Sequence, residues 1–168
     1  MSGEEQAWLR GDLSISASVL AAIEADALRC YPDESCGFVF GPKEAPLRLD
    51  EARSEPNLAN RYHALDPETF PRTASSYFKI DELRAARIFD TAEAEGRPVK
   101  VIYHSHCDAG DYFSAEDAAT FARDGMLMWP CAFLVVSVMQ GAIDGRRLWV
   151  HEPGTERFVE APLTVLEP

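Results

Sequence analysis

The chain has 168 residues, of which 46% are hydrophobic and 26% charged, and its formal net charge is −12. That length and balance suit one domain with a buried core, expected over residues 13–168. Such acidity argues against a nucleic-acid backbone or an anionic membrane as partner. No apolar run approaches the ~20 residues of a membrane span, and the first twelve residues lack the basic start and apolar middle of a signal peptide. Cys30, Cys36, Cys107 and Cys131 show no CxxC spacing, so neither a zinc knuckle nor a disulfide framework is expected, and a reducing, cytoplasmic setting is the default.

Residues 1–12 are polar and read as a flexible N-terminus. Leu13 and Ile15 alternate with serines as a short strand does. Val19, Leu20, Ile23, Ala27, Leu28 and Tyr31 then recur at helical spacing, with Ser16 or Ser18 as N-cap and Pro32 as the stop. Cys36–Phe40 reads as a buried strand closed by Gly41-Pro42. Glu34 falls in the tight connection before it, where a side chain can project into a cleft; a solvated helix-end carboxylate is the plainer reading. Residues 47–52 form an expected strand. Residues 55–78, punctuated by Pro56-Asn57, Asp66-Pro67 and Pro71, read as a long loop, and such loops are usually functional or disordered. Asp81 caps an expected helix to Glu95 with Leu83, Ala85, Ile88, Phe89 and Ala92 inward, and Gly96 ends it.

The stretch VKVIYHSHCDAGDYFSAED follows, from Val99 to Asp117. In a strand, alternation turns Val99, Val101 and Tyr103 one way and Ile102, His104 and His106 the other. Ser114-Ala-Glu-Asp117 reads as a first helical turn, in which positions three apart are neighbours. It also fits a capping box. A helix folded back over the strand end gathers two imidazoles, a carboxylate and a hydroxyl, the ligand inventory of an open zinc site. An HxH pair alone reads more readily as core or surface histidines than as ligands, and His63 and His151 lack even that context. The helix is expected to run to Gly125. Residues 131–139 read as a central strand, 141–145 as a turn into a further strand, and 158–166 as an edge strand marked by Pro162. The pattern is that of an α+β domain with a curved mixed sheet flanked by helices.

Pro32, Glu34, Cys36 and Gly37 (PxExCG), with His104, Ser105, His106, Ser114 and Asp117 (HSHx7SxxD), resemble the JAMM (MPN-plus) zinc metalloprotease family in its short prokaryotic form, over roughly residues 13–149. The resemblance implies a barrel-like sheet of the cytidine-deaminase-like type. It implies one zinc ion per chain on His104, His106 and Asp117, with Glu34 as general base and acid and Ser114 steadying the tetrahedral intermediate. Ser105 belongs to the motif without needing a side-chain role. The implied reaction is hydrolysis of an amide or isopeptide bond, at the C-terminus of a ubiquitin-like or sulfur-carrier protein. Two alternatives stand beside it: a metallo-amidase for a small peptide or amino-acid adduct, and a non-catalytic MPN scaffold, which the complete ligand set disfavours. Cys107 stands where most relatives carry proline. It reads either as a small buried residue or as a thiolate that occupies the open metal position. Substrate choice is expected to reside in residues 55–78 and 107–113.

Overall fold

In the computed structural model, which describes residues 6–167, the chain runs β1 (Leu13–Ser16), α1 (Ala17–Cys30), β2 (Cys36–Phe40), β3 (Arg48–Leu49), β4 (Glu51–Glu55), α2 (Ala59–Leu65), α3 (Glu82–Ala94), β5 (Val99–Cys107), α4 (Ala115–Phe121), β6 (Ala122–Arg123), β7 (Met126–Leu127), β8 (Ala132–Met139), β9 (Ala142–His151), β10 (Phe158–Ala161) and β11 (Leu163–Leu166). The unbroken apolar runs take the middle of the main sheet, as residues buried on both faces must. Its order is β10-β9-β8-β5-β2-β4. The β5–β8 pair is parallel and the other pairs are antiparallel. A smaller parallel sheet, β11-β1-β3, and a β6-β7 hairpin complete the fold. The main sheet is open, with β10 and β4 at its edges, so the α+β expectation holds without closure into a barrel.

β5 divides two cores. Val101 and Tyr103 pack with Ile23, Leu134 and Val136 on the α1 side. Ile102 packs with Phe38, Phe133 and Ala85 on the side of α3 and α4. Val99 departs from simple alternation and lies with Ile102. The register shows why: Val39 pairs with Val101 but Phe40 pairs with Val99, leaving Lys100 as the extra residue of a bulge. Lys100 is fully buried, and its Nζ donates to the carbonyls of Pro42, Ala45 and Arg48 at 2.8, 2.8 and 2.9 Å. Gly41 is part of this arrangement, because a Cβ there would stand 1.9 Å from the Arg48 carbonyl oxygen.

Several local expectations are corrected. Residues 1–5 lie outside the described part, but Ala7–Arg10 is a 3-10 helix rather than a loose segment. Trp8 anchors it, buried with its indole Nε1 donating to the Pro130 carbonyl at 2.9 Å. The strand expected at 47–52 is broken into β3 and β4, which join different sheets. The loop at 55–78 contains α2. Asp81 does cap α3, accepting from the Arg84 N–H at 2.9 Å, but Leu83 faces solvent at 66% exposure. α4 stops at Phe121, four residues short of Gly125, because Asp124 and Gly125 both adopt positive φ (55° and 78°) to turn the β6-β7 hairpin. Gln140 and Gly141 repeat that device between β8 and β9. Pro162 separates β10 from β11, each an edge strand of its own sheet. Among the described residues no helix is long and apolar enough to cross a membrane.

Candidate functional site

The site forms where the end of β5 meets the first turn of α4. Ser114 is the N-cap, in extended backbone, and the capping box is complete. Its Oγ accepts from the Asp117 N–H at 3.0 Å, while Asp117 Oδ2 accepts from the Ser114 N–H at 3.1 Å. The cap thus fixes the Asp117 carboxylate over the strand. Oδ2 lies 3.0 Å from His104 Nε2 and 3.1 Å from His106 Nε2, and the two Nε2 atoms are 3.1 Å apart. All three side chains are buried.

His106 Nδ1 stands 2.9 Å from the Gly110 carbonyl. A carbonyl only accepts, so Nδ1 carries a proton, and whenever His106 is neutral its Nε2 lone pair points at the carboxylate. Donor atoms held that close are matched by a shared proton or by a metal ion between them. A tetrahedral zinc with ligands at about 2.0–2.1 Å spaces its donors roughly 3.3 Å apart, within a few tenths of an ångström of this triangle. The donor set therefore fits the ion. Phe78 stacks on the His104 ring with centroids 4.4 Å apart. His104 Nδ1 is buried without a hydrogen-bond partner among the described residues. Burial alone would push the Asp117 carboxyl up, but His104 and His106 together hold it well below the usual carboxylate range. Burial likewise opposes the charge on His106, and Asp117 outweighs it, so that imidazole is shifted upward.

Glu34 shares a cavity of about 90 Å³ with His106, Asp117 and Ser114. It is 5% exposed, and burial pushes its carboxyl up to about 8, with Asp117 adding to the rise and His106 and Arg72 opposing it. Its backbone is clamped on both sides: the Glu34 N–H donates to the Ala74 carbonyl at 2.7 Å, and its carbonyl accepts from Asn57 Nδ2 at 3.0 Å. Ser105 supplies a further clamp. Its Oγ accepts from the Ser35 N–H at 2.7 Å, and its own N–H donates to the Ser35 carbonyl at 3.0 Å. The motif did not require a side-chain role of Ser105, and the structure gives it one: its hydroxyl ties the Glu34 turn to the histidine strand. Gly37 permits that tie, because a Cβ there would sit 2.5 Å from the Tyr103 ring.

Residues from both segments expected to hold substrate choice line the cavity. Residues 72 and 75–77 form one wall and Cys107, Ala109 and Tyr112 another. The second wall is pinned from outside, Asp108 accepting from Tyr31 Oη and the Gln140 N–H, both at 2.7 Å. Burial pushes the Cys107 thiol up to about 12, with Glu34, Asp108 and Asp33 adding to it. The thiol lies outside the group of three ligands whose donor atoms are within 4.8 Å of one another. Cys107 is therefore a wall residue of the cavity rather than a member of that group. Asn57, Arg72 and Phe78 were not singled out from sequence. Only the Pro56-Asn57 punctuation hinted at the first.

With this geometry in place, the family can be identified. A sequence profile of prokaryotic homologs of the JAB domain matches residues 16–152. The chain belongs to that family. This JAB-domain chain is 28% identical over 105 residues to the CysO-cysteine peptidase of Mycobacterium tuberculosis, and the match spans 62% of either protein. The solution structure of a Desulfitobacterium hafniense protein shares its fold at TM-score 0.65 and 18% identity, over 93% of this chain and 94% of that one. A structure described as JAMM, a metalloprotease-like zinc site in the proteasome and signalosome, aligns at TM-score 0.50 and 18% identity, over 92% of this chain and 98% of the other.

Proposed function

We propose that this JAB-domain protein is a zinc-dependent hydrolase of an amide or isopeptide bond at the C-terminus of a ubiquitin-like or sulfur-carrier protein. One zinc ion per chain would be held by His104, His106 and Asp117. The observation that carries the reading is the triangle of Lewis-basic atoms, with edges of 3.0–3.1 Å, beside a buried glutamate. The peptidase relative and the JAMM zinc-site structure support it, as does a donor set with no member missing. A bound zinc supplies a water whose pKa falls from 15.7 toward about 7, and polarises the scissile carbonyl.

The protein's own groups do the rest. Glu34 accepts the proton of the attacking water and hands it to the departing amine, as a general base and then acid. A carboxyl that must both take and return a proton is served by the upward push of its buried site. Ser114 Oγ already accepts from the Asp117 N–H, which leaves its own hydrogen to donate to the oxygen that gains charge. Gly110 holds His106 in the tautomer that ligation requires. A cytoplasmic setting accords with four free cysteines.

The test is cleavage of a panel of ubiquitin-like fusions by the wild type and Glu34→Gln, with zinc measured in both. Cleavage that needs zinc and is lost in the variant, at equal zinc content, is the expected outcome. Equal rates for both proteins, or a wild type that takes up no zinc, would overturn the reading.

A further inference from the structure

The cavity beside the metal ligands is lined by the carboxyls of Glu34, Glu116 and Asp117, in a chain whose net charge is already −12. A zinc on Asp117 would offset part of that field, and an anionic ligand still meets the carboxyls of Glu34 and Glu116 unless a cation of the protein stands beside them. Among the described residues one Arg or Lys side chain lines the cavity, that of Arg72.

Its placement is specific. Nη2 donates to Glu116 Oε1 at 2.8 Å and Nη1 to the Ser76 carbonyl at 3.3 Å. Two residues further along the same segment, the Ala74 carbonyl takes the Glu34 N–H, so the backbone carrying Arg72 is registered to the glutamate. The guanidinium is close enough to Glu34 for its charge to act on that carboxyl. A guanidinium has five N–H donors in a planar fork suited to a carboxylate, and the two bonds above use two of them. The cavity, at about 90 Å³, is well below the roughly 300 Å³ at which drug-sized pockets begin.

We propose that Arg72 is a specificity-determining residue that binds a free α-carboxylate on the leaving group, so that the bond cut joins the carrier's C-terminal carbonyl to the α-amine of a single small amino acid. The inference rests on the hydrolase reading and narrows its substrate. In the reaction the carbonyl–nitrogen bond breaks, water supplies hydroxyl to the carbonyl carbon and a proton to the nitrogen, and a carrier carboxylate and a free amino acid leave. The α-carboxylate of such an amino acid is one carbon from the amine that Glu34 protonates, and Arg72 lines the same cavity as Glu34. The amine of an isopeptide-linked lysine has no anion at that distance, and would leave Arg72 without a ligand.

The experiment compares a carrier–amino-acid adduct bearing a free α-carboxylate with the same adduct as its α-carboxamide. The wild type is expected to favour the acid about tenfold in kcat/KM, mainly through KM, as one partly exposed charge-assisted contact allows. Arg72→Gln lowers the acid rate about tenfold more than the carboxamide rate, Arg72→Lys restores part of the preference, and Glu116→Gln retains or raises it. Equal cleavage of both adducts by the wild type, or an Arg72→Gln variant that slows both alike, overturns the proposal. Binding of the two adducts to Glu34→Gln, with and without Arg72→Gln, reads the same preference without turnover. If no adduct is cleaved but the acid preference in binding depends on Arg72, the hydrolase reading fails and the carboxylate site stands. If cleavage occurs and that preference is absent, only the carboxylate site fails.

Discussion

The two ends of β5 each bury polar groups, and they do so to opposite effect. At the start, Lys100 carries a buried ammonium whose three hydrogens meet three backbone carbonyls at 2.8–2.9 Å. Every donor is matched, and the result is a stapled connection between β2 and β3. At the far end, His104, His106 and Asp117 aim electron pairs at a common point, and one imidazole nitrogen, His104 Nδ1, lacks a partner among the described residues. A buried polar group that is fully paired maintains a fold. Buried acceptors that face one another are matched only when something positive joins them.

This contrast can be broken or sharpened by experiment. The largest effect is expected from Asp117→Ala, which should take zinc content from the proposed one ion per chain to near zero and hydrolysis to background, by metal analysis and a cleavage assay. Full zinc content in that variant would break the contrast outright. Glu34→Gln should follow, with hydrolysis down by about 10²–10⁴-fold and zinc retained. At the opposite end of the strand, Lys100→Met should leave zinc content and per-molecule hydrolysis unaltered while lowering stability by roughly 2–4 kcal/mol, since three buried carbonyls lose their donor. Denaturant unfolding measures that loss.

A smaller effect concerns pH. Burial pushes the Lys100 amine from 10.5 down to about 8 in the folded chain. The folded protein therefore gives up this proton before the unfolded chain does, and the unfolded state holds more protons between those values. The contribution of Lys100 to stability is lowest below about pH 8 and rises as pH climbs to about 10.5, by at most roughly 3 kcal/mol. The stability difference between wild type and Lys100→Met, followed over that range, should grow in the wild type's favour. A flat difference would show that the ammonium is as well solvated by its carbonyls as by water.

Much of the frame was legible because burial leaves a plain mark on sequence. Cys36–Phe40 matched the expected strand residue for residue, and the apolar run at 131–139 became β8. The three candidate ligands were readable because two lie on one face of a strand and the third sits in a first helical turn. What escaped notice depends on partners far along the chain. Ser105 and Ser35, seventy positions apart, look like two unremarkable serines until β5 and β2 are set side by side. Arg72 reaches Glu116 across 44 positions. Lys100 broke the alternation because a bulge, which no local pattern announces, added one residue to β5. α2 was hidden by the prolines on either side of it, and the β6-β7 hairpin by a helical pattern that ran on past Phe121. Asp124-Gly125, a strong hairpin dipeptide, was the available signal.

The parallel pairing of β5 with β8 has a further consequence. Two parallel neighbours cannot be linked by a tight hairpin; the chain must travel back along the sheet before it can re-enter in the same direction. Here that return journey carries α4, and with it Asp117. The carboxylate therefore reaches the imidazoles only when the crossover has docked, and the proposed metal ion, gripping all three, would act as a rivet through it. Stripping the ion should loosen residues 108–131 ahead of the antiparallel strands, a sequence of events that amide exchange can follow segment by segment.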